Sequence, residues 1–142
     1  MFKKLALTTA AALVLTACGS KSSDIEASTV DGLWKPTMAQ MGGANLPKEM
    51  LETMTLDIDG TNYNVVVLGQ PETGELVYYS DTDPKRMDII GVEGPNAGKT
   101  MKAIYKLDGN KLVIAYIVVG DQYPSEFTSP AGSQQFLVEY KK

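Results

Sequence analysis

The sequence contains no histidine and only one cysteine among its 142 residues. Without histidine there is no imidazole for a Ser-His-Asp or Cys-His catalytic site, for a His-ligated zinc or for a charge switch near neutral pH. A single cysteine forms neither an intramolecular disulfide nor a cysteine-rich metal cluster. We therefore expect no catalytic residue, no metal site, no cofactor and no enzymatic activity.

Basic residues and long apolar runs are scarce as well. The chain has 13 Lys and Arg against 17 Asp and Glu, which gives a net charge of −4, so we expect no nucleic-acid partner. The uncharged apolar stretch at residues 5–17 is shorter than the roughly 20 apolar residues that span a bilayer. The length suits a single modest domain.

Residues 1–17 have the parts of a bacterial lipoprotein signal peptide. A basic start is followed by the apolar run, which ends in Leu15, Thr16 and Ala17 directly before Cys18. This order resembles the lipobox, in which a peptidase cuts before the cysteine and the thiol carries a diacylglycerol. We predict that Leu15, Thr16 and Ala17 are recognised by the signal peptidase and that Cys18 is the lipid attachment site. The alternative is an ordinary signal peptide with a chance cysteine.

Lipidation of Cys18 predicts a protein anchored to a membrane of the cell envelope by acyl chains such as palmitate. Gly19 and Ser20 follow the cysteine, whereas in lipoproteins an aspartate there favours the inner membrane. By this resemblance the outer membrane is favoured, with the domain facing the periplasm or the cell surface. Residues 18–30 are small and polar after the cysteine, so they predict a flexible tether. A first edge strand is the alternative.

Residues 31–142 predict one all-β domain, because short apolar runs with period-two alternation are separated by turn residues. The prediction places Pro36 at a strand edge or bulge and one or two helical turns at residues 46–52. It places a turn at residues 69–74 and a long loop at residues 120–132. Strands are predicted at residues 33–38, 54–58, 63–67, 76–78, 87–92, 100–107, 112–119 and 136–140.

About eight strands with mostly sequential connections favour a small antiparallel up-and-down barrel, because closure removes the exposed sheet edges. A two-sheet sandwich is the alternative. Trp34, the only tryptophan, is predicted to be a core residue that closes one end. The tyrosines suit either strand packing or the lining of a pocket.

Two segments have the superficial form of ligand-binding loops. Residues 94–100 resemble a P-loop but have three residues between the glycines instead of four, so they predict a hairpin loop. Residues 57–62 resemble a calcium loop but lack its first and last ligands, so they predict a strand end and turn. The carboxylate pairs Asp57 with Asp59 and Glu72 with Glu75 are expected by chance in an acidic chain.

The folded part resembles an uncharacterised domain family that is named for its abundance in planctomycetes and described as lipocalin-like. The resemblance extends over residues 31–142 and rests on the order of these segments: Gly32-Leu33-Trp34, Leu46-Pro47-Lys48-Glu49, Leu56-Asp57-Ile58-Asp59-Gly60, Tyr63-Asn64-Val65, Gly94-Pro95, Gly98-Lys99-Thr100, Ile104-Tyr105-Lys106-Leu107-Asp108-Gly109-Asn110-Lys111-Leu112 and Pro124-Ser125-Glu126-Phe127. It implies a lipocalin-like barrel and an extracytoplasmic setting, and it implies no catalytic residues. Members usually carry arginine where this chain has Tyr123.

These observations predict a lipid-anchored envelope lipoprotein whose barrel binds a small apolar ligand or an envelope component. The sequence leaves the ligand-binding residues unassigned. The alternative is a protein-interaction module, such as an immunity protein or an inhibitor of an envelope-targeting toxin or hydrolase.

Overall fold

The structure, a computed structural model, describes residues 29–142 of the chain. These residues form nine β-strands and a short helix, α1 (Lys48–Glu52), which lies between the second and third strands. No helix within this part is long and apolar enough to cross a membrane. The strands are β1 (Gly32–Met41), β2 (Ala44–Asn45), β3 (Thr55–Asp59), β4 (Asn62–Val67), β5 (Gln70–Tyr79), β6 (Lys85–Glu93), β7 (Thr100–Asp108), β8 (Lys111–Ile117) and β9 (Gln135–Lys141).

Eight of these strands form a closed antiparallel barrel. From β3 to β9 each strand pairs with the next one in the chain, and β1 pairs with both β3 and β9. The two-residue strand β2 pairs only with the end of β1. Because each barrel strand has a partner on both sides, closure leaves no long sheet edge exposed. The predicted all-β, up-and-down barrel is therefore confirmed, and the sandwich alternative is wrong.

Strand β1 has a bulge close to the point where its pairing passes from β3 to β9. The first residues of β1 pair with β3, and from Lys35 onward the strand pairs with β9. The register against β9 shifts between Pro36 and Met38. Proline has no N–H to donate to a neighbouring strand, and a bulge tolerates this loss. The sequence predicted either a strand edge or a bulge at Pro36, and the structure has a bulge there.

One end of the barrel is closed by Trp34, as predicted. Its side chain is fully buried and its indole N–H donates a hydrogen bond of 2.8 Å to the carbonyl of Val30. Val30 is itself buried, so it belongs to the packed part of the chain. The Lys142 ammonium also contacts the indole, at 4.6 Å from the centre of its ring. The chain therefore enters the barrel at this closed end.

A second apolar cluster covers part of the outer surface of the barrel. The segment between β8 and β9, residues 118–134, crosses the outward-facing side chains of neighbouring strands and adds Phe127 to them. This explains why residues 112–119 are apolar on both faces. The outward-facing buried members of this cluster are Ile104, Val113, Ala115 and Leu137.

The predicted turn at residues 69–74 is wrong. The turn consists of Leu68 and Gly69 alone, and β5 begins at Gln70. Proline has no backbone N–H. Pro71 is tolerated because the pairing of β5 with β6 begins only at Thr73, so no N–H is needed from Pro71 on the side that faces β6. Gly74 follows an irregularity in the same pairing and packs under the Tyr63 ring, which a Cβ atom would approach to 2.6 Å. Both turn-forming residues are therefore accommodated inside a strand.

Candidate functional site

The barrel end opposite Trp34 is open and leads into its interior. A cavity of about 610 Å³ lies between α1, the ends of the strands and the loop between β6 and β7. A deeper cavity of about 50 Å³ lies inside the barrel below it. The two cavities adjoin, because they share five lining residues: Val65, Glu72, Met101, Tyr116 and Tyr140. We refer to the larger one as the mouth cavity.

The lining of the mouth cavity is mainly apolar and rich in methionine. Four methionines contribute to it from β1, α1, the residue before β3, and β7: Met41, Met50, Met54 and Met101. Methionine side chains are flexible and polarisable, so such a wall adapts to ligands of different shape. The volume of about 610 Å³ lies within the range of roughly 300–1,000 Å³ that is usual for small-molecule sites.

A buried carboxylate, Glu72, lies where the two cavities meet. The alternation along β5 turns Glu72 inward with Leu76 and Tyr78, and Glu72 is only 8% exposed. Its Oε1 accepts a hydrogen bond of 2.9 Å from the Tyr63 hydroxyl, and its Oε2 accepts one of 2.8 Å from the Asn96 amide. No lysine or arginine in residues 29–142 forms an ion pair with it. Its two donors are therefore both neutral.

The loop between β6 and β7 brings Asn96 to this carboxylate. The loop folds back on β6 through two backbone hydrogen bonds of 2.9 Å, from Gly91 N–H to Lys99 and from Gly98 N–H to Gly91. Only glycine fits at position 91, because a Cβ atom there would overlap the carbonyl oxygen of Asn96. The segment that resembles a P-loop is thus a hairpin loop, as predicted, and it places Asn96 over the barrel interior.

Two tyrosine hydroxyls face the cavities without a hydrogen-bond partner in the described part of the chain. Tyr140 is 6% exposed and Tyr116 is half-buried. Every fully buried side-chain polar atom among residues 29–142 has a partner. The hydroxyls of Tyr116 and Tyr140 have none there, so they open onto cavity space.

The pKa values of the interior tyrosines agree with this placement. Burial is the main reason that the pKa values of Tyr63, Tyr116 and Tyr140 are raised above the ordinary value. The hydrogen bond to Glu72 raises the pKa of Tyr63 further, and the proximity of Tyr140 and Glu72 raises that of Tyr116. All three hydroxyls therefore keep their protons at neutral pH, and the Tyr63 hydroxyl donates its proton to the hydrogen bond with Glu72.

A separate polar cluster lies on the outside of the barrel around Asp88, which is 8% exposed. Its carboxylate accepts hydrogen bonds from the Tyr123 hydroxyl at 2.5 Å, from the Lys102 ammonium at 2.9 Å and from the Tyr79 hydroxyl at 3.3 Å. The Arg86 guanidinium lies 4.7 Å from the centre of the Tyr123 ring. This cluster attaches the 118–134 segment to the barrel.

The structure separates the carboxylate pairs that the sequence suggested. Asp57 and Asp59 are exposed on the outer face of β3, as predicted for a solvated strand face. Glu72 and Glu75 lie on opposite faces of β5, so they do not face each other across a cleft. Cys18 and the three residues before it lie outside the described residues, as does the tether up to residue 28.

The sequence predictions missed the Glu72 site. A signal was present, because counting back by two from Tyr78 through Leu76 and Gly74 places Glu72 on an apolar face. The turn that we predicted at residues 69–74 placed the start of this strand too late in the chain, at residue 76, and so left Glu72 outside it. Asn96 had no such signal, because only the folding of its loop brings it to the interior.

Comparison with known proteins gives no match to a family model, to a curated protein or to a solved structure. The resemblance to the planctomycete family stays a prediction.

Proposed function

We propose that the protein is a lipid-anchored envelope lipoprotein whose barrel binds a small apolar ligand at its open end. The observation that carries this proposal is the mouth cavity of about 610 Å³, which continues into the barrel interior. An apolar cavity with a few converging polar groups is the usual form of a small-molecule site. Here Glu72, Asn96 and the tyrosine hydroxyls are those groups.

The position of the chain entry supports a function in which the mouth stays accessible. Val30 packs beside Trp34 at the closed end. The tether and a lipid on Cys18 would therefore join the barrel at the end opposite the mouth. The anchor and the ligand site would then not compete for the same surface.

The anchoring is tested by replacing the cysteine. We expect Cys18→Ser to abolish acylation, so that the protein accumulates uncleaved or is released from the membrane. The measurement is membrane fractionation together with labelling by a palmitate analogue. Ser23→Ala, a change of similar size in the predicted tether, serves as the control and should leave anchoring intact. Normal membrane retention of Cys18→Ser would contradict the lipobox prediction.

Ligand binding is tested with methionine methyl signals, since methionines lie both inside and outside the barrel. Mature protein carrying ¹³C-methyl methionine is placed in phosphatidylcholine nanodiscs and titrated with octanol. We expect the Met101 signal to shift, because Met101 lines both cavities. The Met38 signal should stay unchanged, because Met38 packs against the outer cluster.

A variant that fills the cavity completes this test. Val65 lines both cavities, and Val65→Trp should remove the octanol-dependent shift of Met101 while the protein stays folded. If octanol leaves Met101 unchanged in the wild-type protein, the binding proposal is wrong. The protein-interaction module, for which no cavity is needed, would then be preferred.

A further inference from the structure

The described residues that line the two cavities include one carboxylate, Glu72, and no lysine or arginine. Glu72 is 8% exposed, and burial of a carboxylate is costly unless it is paired with a cation or fully hydrogen-bonded. Its donors are one phenol and one amide. A carboxylate accepts about four hydrogen bonds, so acceptor positions remain unused beside the open space.

The tyrosine oxygens add to this environment. Tyr140 is nine-tenths buried, and within residues 29–142 its hydroxyl has no hydrogen-bond partner. It lines both cavities together with Glu72 and Tyr116. A hydroxyl oxygen accepts hydrogen bonds, and a tyrosine ring attracts a cation over its face. Both interactions favour a positively charged group between these side chains.

The remaining space is suited to an apolar chain. Methionine side chains from four parts of the fold surround it, and exposed apolar residues continue the surface to the rim at Met41 and Leu68. A ligand with its head at the carboxylate would therefore direct its apolar part along the mouth cavity. An anionic head would meet the charge of Glu72, and a neutral head would leave that charge unpaired.

From this arrangement we propose that the cavity binds an amphiphile with a protonated amine head and an apolar chain, and that Glu72 pairs with the ammonium group. This inference rests on the proposed ligand-binding function and specifies the chemical class of the ligand. The hydroxyl oxygens of Tyr116 and Tyr140 accept further hydrogen bonds from the ammonium N–H groups, or their rings contact the charge.

The test compares three probes that differ in the head group alone: octylamine, octanol and octanoate. Each is titrated into the mature protein in phosphatidylcholine nanodiscs, and half-saturation is read from the Met101 methyl signal. We expect octylamine to bind about tenfold or more tightly than octanol, and octanoate to bind most weakly. The Met38 signal reports whether the fold is retained.

A pair of variants identifies the carboxylate responsible. Glu72→Gln keeps the side-chain shape and removes the charge, so the preference for octylamine over octanol should fall about tenfold. Glu75→Gln makes the same charge change on the outer face of the same strand and should leave the preference unchanged. Partition of the probes into the nanodisc lipid is common to both variants, so it cancels from this comparison.

The possible outcomes distinguish the amine proposal from the proposal of apolar ligand binding. A preference for the amine that Glu72→Gln removes and Glu75→Gln retains supports the inference. Equal binding of amine and alcohol, or a preference that survives Glu72→Gln, overturns the inference and leaves apolar ligand binding intact. Failure of all three probes to shift Met101 overturns both. If Glu72→Gln does not fold, the order of the three probes on the wild-type protein still decides, once each affinity is corrected for the measured partition of the probe into nanodiscs without protein.

Discussion

Leu68 combines an unfavourable backbone conformation with an exposed apolar side chain at the cavity rim. Its φ is +54°, that of Gly69 is +74°, and Leu68 is 57% exposed. Two-residue hairpin turns with positive φ at both positions favour Asn-Gly. A leucine in this conformation costs about 1–2 kcal/mol. Since Leu68 lines the mouth cavity, contact with a ligand is a physical reason for placing leucine there.

We expect Leu68→Asn to raise the free energy of unfolding by about 1 kcal/mol, because asparagine tolerates positive φ. The same change should weaken octanol binding, because it removes apolar surface from the rim. Urea unfolding and the Met101 titration measure the two effects. Leu33→Asn is the control, since Leu33 is 53% exposed but lies in strand β1. A similar change in stability for both variants would contradict the strain argument.

At the scale of the element, side-chain and backbone contacts together hold the 118–134 segment to the barrel. The Tyr123 hydroxyl donates to Asp88, and Phe127 packs on the outer apolar cluster with the Lys106 ammonium 4.6 Å from its ring centre. The segment has no regular secondary structure of its own. Its backbone contributes as well, because the Gly132 N–H donates to the carbonyl of Gly42 and the carbonyls of Glu126 and Thr128 accept from the Gln135 side-chain amide.

We expect Tyr123→Phe to loosen this segment and to lower the free energy of unfolding by about 1–2 kcal/mol, because a hydrogen bond to a charged group is lost. Limited proteolysis should cut the segment faster in this variant. Tyr79→Phe is the control. It removes a hydrogen bond of 3.3 Å to the same carboxylate, but Tyr79 lies in β5 and not in the segment, so this variant should not speed cleavage within the segment. Equal cleavage rates of Tyr123→Phe and wild-type protein would show that Tyr123 does not hold it.

The strands were the part of the fold that the sequence predicted well. Period-two alternation identified the inward faces of β3 and β4, because buried and exposed residues alternate along them. It also identified the inward face of β7, although the outward-facing Ile104 of that strand is buried in the outer cluster. The error at residues 69–74 arose because Pro71 and Gly74 normally signal a turn. Here tertiary pairing accommodates them, since one lies before pairing with β6 begins and the other packs under Tyr63. The two-residue strand β2 was not predicted, because it is too short to show alternation.

At the scale of the whole molecule, five tyrosines have raised pKa values, with burial the largest cause in each: Tyr63, Tyr79, Tyr116, Tyr123 and Tyr140. A hydrogen bond to Asp88 also raises the pKa of Lys102. The folded protein thus retains these protons at a pH where the unfolded chain has released them. Their stabilising effect is complete below the unfolded pKa of about 10 and is lost as the pH rises through the folded values.

We therefore expect the free energy of unfolding to fall steadily as the pH rises above about 10. Between pH 6 and 8 it should change little, because the sequence has no histidine. Urea unfolding at a series of pH values measures both ranges. Tyr123→Phe should make the alkaline decline less steep. A free energy of unfolding that stays constant as the pH rises well above about 10, where the tyrosines of the unfolded chain are deprotonated, would contradict this explanation.

The candidate site could not be predicted as a whole from the sequence. Its polar groups come from β4, β5, the loop after β6, β8 and β9, and only closure of the barrel brings them together. Whether a small barrel is filled or hollow depends on how a few side chains pack at one end. Alternation shows which side chains point inward, but it does not show the space that they leave.

The central claim is that the barrel holds an apolar ligand, and native mass spectrometry of the protein purified from the cells that produce it tests this claim most directly. We predict a non-covalent adduct of defined mass on the wild-type protein, and its loss in Val65→Trp, where the tryptophan fills the cavity. Wild-type protein that carries no adduct, or an adduct that persists in Val65→Trp, would contradict the claim.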